Sequence, residues 1–219
     1  MVEITKYRLT DEEAIRQICL ETGFAGESIA KIIDNTRFFL DLCTNYIFDG
    51  KSGETFVARE NEAPIGYVFV TLDKKAYDAI QKQYYVKRIA EELANFPRFT
   101  ERDWKYYSGY LISFMKGEYS FPYFKEYPAS LHINVSPNYQ GRGTGKALFS
   151  VLFNYLKEKN CPGIQLQTTT LNLKAIKLFE SFGFKTLTTS KSSIYRKYGF
   201  TDATNLLMGK PITVETGDK

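Results

Sequence analysis

Residues 134–149, NVSPNYQGRGTGKALF, place glycines at 141, 143 and 145, with Arg142 between the first two and Lys146 opening an apolar run. Alternate glycines let a ligand approach the backbone N–H groups closely. A helix starting here leaves its first N–H groups unpaired and carries partial positive charge, which suits an anion. Two phosphate chemistries fail on counting. A Walker loop would need glycine where Gln140 stands and a magnesium-binding hydroxyl where Ala147 stands. A dinucleotide fingerprint begun at Gly141 needs glycine at Lys146, and one begun at Gly143 needs it at Leu148. Gln-x-x-Gly-x-Gly, from Gln140 through Thr144 to Gly145, remains. It suits a pyrophosphate without bound magnesium, with Arg142 and Lys146 adding charge. The alternative is a glycine turn shaped for packing alone.

The second residue with usable chemistry is His132, the only histidine in the chain. Strand alternation puts it on one face with Asn134, and Leu131, Ile133 and Val135 on the other. Its ordinary pKa makes it a candidate general base, directly or through water. The alternative is a histidine hydrogen-bonded within its strand.

These residues need elements to hold them. The last third predicts a strand (130–135), the glycine loop, a helix (144–159), a strand (163–169), a helix (172–181), and strands at 184–190 and about 203–208. Asn172 is the expected N-cap of its helix, Ala175, Ile176 and Phe179 its inner stripe, and Gly183 its close. Earlier, EITKYRL reads as a strand, and Thr10 or Asp11 as the cap of a helix ending near Gly23. A second helix is expected from about Ser28 to Tyr46. ETFVARE and IGYVFVTLD, joined at NEAP, form a hairpin pattern. Residues 74–128 read as two helices split by NFPRFT, with Thr100 and Asp103 as a capping box. Residues 84–127 hold 14 of the 34 aromatics, enough for a wall or lid over a site, or for a subdomain packing its own core. Alternating strands and helices argue for an α/β layer fold. The expected organisation is a single domain over 1–212, with 74–128 inserted and 213–219 a frayed tail.

Composition bounds the function. Apolar residues make up 43% and charged residues 25% of the 219, a globular balance. No run approaches the roughly 18 apolar residues of a membrane span, and MVEITKYRLTDEE has no apolar segment behind its charges. Neither a signal peptide nor a membrane partner is expected. Cys19, Cys43 and Cys161 read as buried thiols in a reducing, cytoplasmic compartment. One histidine and no Cys-x-x-Cys pair exclude a structural zinc site, and no metal is expected. A net charge of +4 suits an anionic ligand but is too weak for nucleic acid.

The pairing of Gln140–Gly145 with the later LNLKAIKLFESFGFK segment resembles the GNAT superfamily of N-acyltransferases. The resemblance covers the N-terminal strand and helices, the hairpin, the loop and N-x-x-A-x-x-x-(Y/F)-x-x-x-G-F. It implies a mixed, largely antiparallel sheet flanked by helices, the aromatic-rich helical insertion being an addition. It implies acetyl-CoA as co-substrate, its pyrophosphate held by Gln140, Gly141, Arg142, Gly143, Thr144, Gly145 and Lys146. The backbone at Ile133 to Val135 would pair with the pantetheine arm and aim an N–H at the thioester carbonyl, and Asn172 would reach the same arm. The position where many members carry a thiolate-protonating tyrosine is Phe179 here, leaving Tyr123, Tyr127 or Tyr195 as substitutes. A closer likeness, in GYVFVTLDKKAYDAI, the aromatic insertion and YPASLHINVSPNYQGRGTG, is to the acetyltransferase-like domain of bifunctional O-GlcNAcase and its bacterial relatives. Those tend to read HLHID where this chain reads Ser130-Leu131-His132-Ile133-Asn134, so two ionisable side chains of that pattern are neutral here. The implied activity is N-acetylation of an amine on a small molecule or peptide, by direct attack on the thioester. The alternative is a CoA-binding pseudoenzyme or sensor.

Overall fold

The computed structural model describes residues 2–94 and 99–213. Most of the NFPRFT divider, at 95–98, and the tail at 214–219 lie outside the described residues. One seven-stranded sheet, β1-β2-β3-β4-β5-β7-β6, organises the chain. Its strands are β1 Glu3–Lys6, β2 Glu54–Glu60, β3 Ala63–Thr71, β4 Ala129–Val135, β5 Gly163–Thr169, β6 Lys185–Lys191 and β7 Thr204–Pro211. Every neighbouring pair is antiparallel except β4 and β5. The mixed, largely antiparallel sheet is therefore present as expected. The β2–β3 hairpin closes on Asn61 and Glu62, both at positive φ (49° and 64°), the twist a two-residue hairpin requires. Ala63 and Pro64 already belong to β3, and Pro64 sits opposite Arg59 at a register shift, where a missing N–H does little harm.

Helices cover both faces. α5 (Thr144–Glu158) and α6 (Leu173–Ser181) lie on one. There Leu148, Phe149, Leu152 and Leu156 pack with Val68, Val70, Ile164, Leu166 and Phe179. α1 (Glu12–Thr22) and α2 (Thr36–Phe48) lie on the other, burying Ile15, Ile18, Tyr46 and Ile47 against Val57, Tyr67 and Phe69. The inserted helices are α3 (Lys74–Leu93) and α4 (Glu101–Met115). Tyr106 of α4 joins Cys19, Phe24, Ile29, Phe39 and Ile194 in a third cluster. The insertion thus shares its core with α1 and α2.

The strand expected over EITKYRL ends at Lys6, two further local expectations change, and one is met and extended. The helix expected over 28–46 is two elements. A 3-10 turn at Ile29–Lys31 ends, and α2 starts anew at Asn35, whose side chain accepts from Phe38 N at 3.2 Å. Asp11 is the N-cap residue of α1 by position but makes no side-chain cap. Its carboxylate accepts from Arg8 N at 2.7 Å and pairs with Arg59 Nη2 at 2.6 Å, both acid and base being nearly sunk from solvent. The capping box at Thr100 forms, and Asp103 does more than close it. Oδ2 accepts from Thr100 N at 3.0 Å, while Oδ1 accepts from Asp34 N and Asn35 N, each at 2.9 Å. One carboxylate therefore fastens the starts of α4 and α2 together.

Candidate functional site

β4 and β5 pair only at Ala129↔Ile164 and Ser130↔Gln165, then part. Ser136 N donates to Ile65 O at 2.9 Å. Antiparallel alternation from that bond gives the even-numbered residues of β4 to β3 and turns the backbone of Leu131, Ile133 and Val135 toward the gap. Gln140 Nε2 donates to Val135 O at 3.1 Å. The N–H groups of Ile133 and Val135 and the carbonyl of Ile133 are left facing the opening. A cavity of about 280 Å³ fills it. His132 and Asn134 line one wall, Thr168, Thr169 and Asn172 the other, and Tyr119 and Tyr195 part of the remainder.

The glycine loop lies past the end of β4. Gly141 and Gly143 have φ of +75° and +90°, the left-handed region that glycine favours, and a Cβ on either would meet nothing within 4 Å. Open space beside a glycine backbone at positive φ fits a cradle better than a turn shaped for packing. Gly145 differs, since its Cβ would stand 3.0 Å from Leu178 Cδ2, so there glycine lets α5 approach α6. The first α5 backbone bond beyond the loop runs from Ala147 N to Gly143 O at 3.0 Å, and the N–H groups of Thr144, Gly145 and Lys146 find no acceptor among the described residues. The Thr144 side chain is buried and donates to Tyr139 O at 3.2 Å, so this residue offers its backbone alone. Arg142 stacks on the Tyr139 ring at 5.3 Å, and Lys146 is exposed. The donor set of free N–H groups and two cations fits a pyrophosphate.

Asn172 caps α6, its Oδ1 accepting from Ala175 N at 3.2 Å, and also lines the cavity. The α6 end is closed by a Schellman pair, Phe184 N to Phe179 O at 3.1 Å and Gly183 N to Glu180 O at 2.9 Å, with Gly183 at φ +81°. Phe179 is buried, packs edge-on to Phe149 and lines the cavity.

His132 is held at both ring nitrogens. Tyr46 Oη bonds Nδ1, and Asn134 Nδ2 lies 3.2 Å from Nε2. The same Asn134 amide donates to Tyr67 Oη at 2.8 Å. With Nε2 accepting from Asn134, Nδ1 carries the proton and donates to Tyr46. Burial pushes the imidazole pKa down to about 4, so the ring is neutral through the physiological range. Of the three tyrosines nominated from sequence, Tyr195 lines the cavity, Tyr123 is exposed at 52%, and Tyr127 lies against Gly163 beneath β5. Burial raises the Tyr195 phenol to about 12. Sequence reasoning missed Tyr119, Tyr46 and Tyr67. It also missed the Thr22–Gly26 turn, where a Cβ on Gly26 would stand 3.0 Å from Asn172 Oδ1. Only the glycines at 23 and 26 hinted at that turn in the sequence.

A parted β4/β5 pair whose opening ends at a helix N-terminus has the shape and the donors to fit an extended ligand with an anionic head. The model of the acetyltransferase (GNAT) family matches residues 25–184, and the chain belongs to that family. The family uses acetyl-CoA. The Escherichia coli K12 ribosomal protein bS18-alanine N-acetyltransferase is 32% identical over 83 residues, covering 38% of this chain and 55% of that enzyme. Mycothiol acetyltransferase of Acidothermus cellulolyticus is 40% identical over 53 residues, 24% of this chain and 16% of that protein. The chain thus matches about half, or much less, of the curated relatives. Among solved structures, that of SsHAT superposes with a TM-score of 0.69 at 22% identity, over 97% of this chain and 98% of the other. The E. coli bS18-alanine enzyme superposes at 0.53 with 15% identity, over 100% and 99%. These share the fold.

Proposed function

We propose that this chain is an acetyl-CoA-dependent N-acetyltransferase in which an acceptor amine attacks the thioester directly. The observation that carries the reading is the β4–β5 opening, with its free backbone groups, leading to unpaired N–H groups at the start of α5. The pyrophosphate sits on Gly141–Lys146, and the pantetheine arm bonds the Ile133 and Val135 backbone beside Asn172. The Ile133 or Val135 N–H donates to the thioester carbonyl and holds the oxyanion as the C–N bond forms. The C–S bond then breaks. Tyr195, with a pKa above that of a thiol, steadies the departing thiolate by donating a hydrogen bond while keeping its proton.

Deprotonating the amine is the demanding step. Below about 0.1% of a lysine-like amine is neutral near pH 7. His132, with its pKa at about 4, is too weak a base to strip a free ammonium. The amine therefore enters uncharged, His132 keeps its bonds to Asn134 and Tyr46 and so shapes the wall beside it, and water carries the proton away.

Thermal shift and thiol release test the reading. Acetyl-CoA at about 100 times its Kd stabilises the fold by about 2.7 kcal/mol, and thiol release then depends on an added amine. No shift with millimolar acetyl-CoA or CoA defeats it. A second reading, a CoA-binding protein without transfer, draws on Phe179, which has no proton to give. Binding without amine-dependent thiol release across a broad panel favours it.

A further inference from the structure

A second cavity, of about 410 Å³, opens where the chain leaving α4 meets the segment after β6. Lys116, Lys191 and Arg196 line it together with Glu118, Ser190 and Ser193. Its one carboxylate among the described residues is already engaged. Glu118 is 8% exposed, and its two oxygens accept from Ser193 N at 2.7 Å and Ser193 Oγ at 2.6 Å. Burial would raise the Glu118 pKa, but those bonds and the Lys116 charge hold it below the ordinary value. Among the described residues, none of the three cations forms an ion pair. Three positive side chains thus surround a polar hollow whose one acid among the described residues, Glu118, is bonded to Ser193.

The hollow adjoins the cavity at the β4–β5 opening. Glu118 lines one and Tyr119, the next residue, the other; Ser193 and Tyr195 are divided in the same way. Asn205 lines the first cavity and donates its amide to Glu118 O at 3.0 Å. β5 and β7 stand between β4 and β6. At about 4.8 Å per strand spacing, the two ends of the site are on the order of 14 Å apart. An extended peptide covers that distance in about four residues.

We propose that Lys116, Lys191 and Arg196 form the distal part of the acceptor site and select a peptide with carboxylate side chains about four residues from the amine to be acetylated. The inference rests on the transferase reading above. A peptide fits better than a small amino acid because the reacting amine and the anionic groups must be held so far apart. The cations lie on the solvent side of the hollow, so they act by long-range attraction and weaken in salt.

The test uses matched octapeptides with a free α-amine, a lysine at position 2, and Glu, Gln or Lys at positions 4–6. Thiol release from acetyl-CoA and binding of fluorescein-labelled peptide to the CoA-loaded protein are both measured. The Glu peptide should show a KM at least about tenfold below the Gln peptide at low salt, with kcat within about twofold and most of the advantage gone in 0.5 M NaCl. Lys116→Gln, Lys191→Gln and Arg196→Gln should each erode that advantage by about threefold, whereas Lys51→Gln, an exposed change elsewhere, should not. Equal turnover of all three peptides overturns the inference and leaves the transferase intact. Binding of the Glu peptide that the three variants abolish, with no thiol release from any peptide, keeps the anionic site and defeats the transferase. Free glutamate or aspartate outcompeting the Glu peptide would also overturn the choice of a peptide.

Discussion

At the scale of single residues, the glycines of the loop divide into two kinds. Gly143 is needed for its backbone, Gly145 for its neighbour. Gly143→Val should abolish CoA binding in calorimetry while costing the fold about 1–3 kcal/mol, the penalty for a β-branched residue at positive φ. His132 makes a pH prediction. Its folded pKa, about 4, lies below the ordinary 6.5. The unfolded chain therefore binds a proton first as pH falls. The stability is full above pH 6.5 and lost progressively toward pH 4, by up to about 3 kcal/mol. Melting curves should show this decline, and His132→Phe should flatten it. Between pH 6 and 9, kcat/KM should climb with the acceptor amine's deprotonation. His132→Asn should lower the rate without moving that limb. A displaced limb would make the imidazole the base after all. The histidine was legible in the sequence as a single residue with useful chemistry. Its environment was not, because Tyr46 bonds it from α2 and Tyr67 on β3 accepts from the Asn134 amide beside it, and no local pattern marks such contacts.

At the scale of elements, short polar residues set the boundaries. The break before α2 escaped the sequence reading because Ile29, Ile32 and Ile33 continue an apolar period toward Phe39. Asp34-Asn35-Thr36 carried the capping signal that could have found it. Asp103 shows why a single cap matters here. Replacing it with Ala strands three backbone donors on two helices and should cost about 2–4 kcal/mol in denaturant titrations. Burial raises its pKa, but these bonds win and hold it below the ordinary 3.8. Its contribution is therefore present above about pH 4 and lost as pH falls further. The Asp11–Arg59 pair makes a parallel case. Arg59→Ala leaves a buried carboxylate without its partner and should destabilise by about 3–5 kcal/mol, more than Asp11 and Arg59 changed together to apolar residues. Elements bounded by glycine or proline and rich in periodic apolar residues, β4, α5, β5 and α6, were legible almost to the residue. So was the hairpin, although its turn is Asn61-Glu62 and not the whole of NEAP.

At the scale of the whole molecule, the sheet is two parts joined by two residue pairs. Strand order and the parting of β4 from β5 are long-range facts. They depend on which strands meet across 30 or more residues, and the resemblance implied no more than a mixed, largely antiparallel sheet. The aromatic insertion was read as a wall or lid, or as a subdomain packing its own core. Tyr106 joins the α1–α2 core, and Tyr119, just beyond α4, lines the cavity, so the insertion adds to the cavity wall and packs with α1 and α2 rather than by itself. The parted strands also carry a consequence for exchange with solvent deuterium. The amides of Ile133 and Val135 have no rung to protect them, while those of Asn134 and His132, in the same strand, are locked to β3. Adjacent amides should therefore exchange at alternating rates, fast and slow, in the free protein. An acyl-CoA arm that supplies the missing rung should slow the fast pair and leave the slow pair untouched, so that the ligand would be read as an added strand of the sheet.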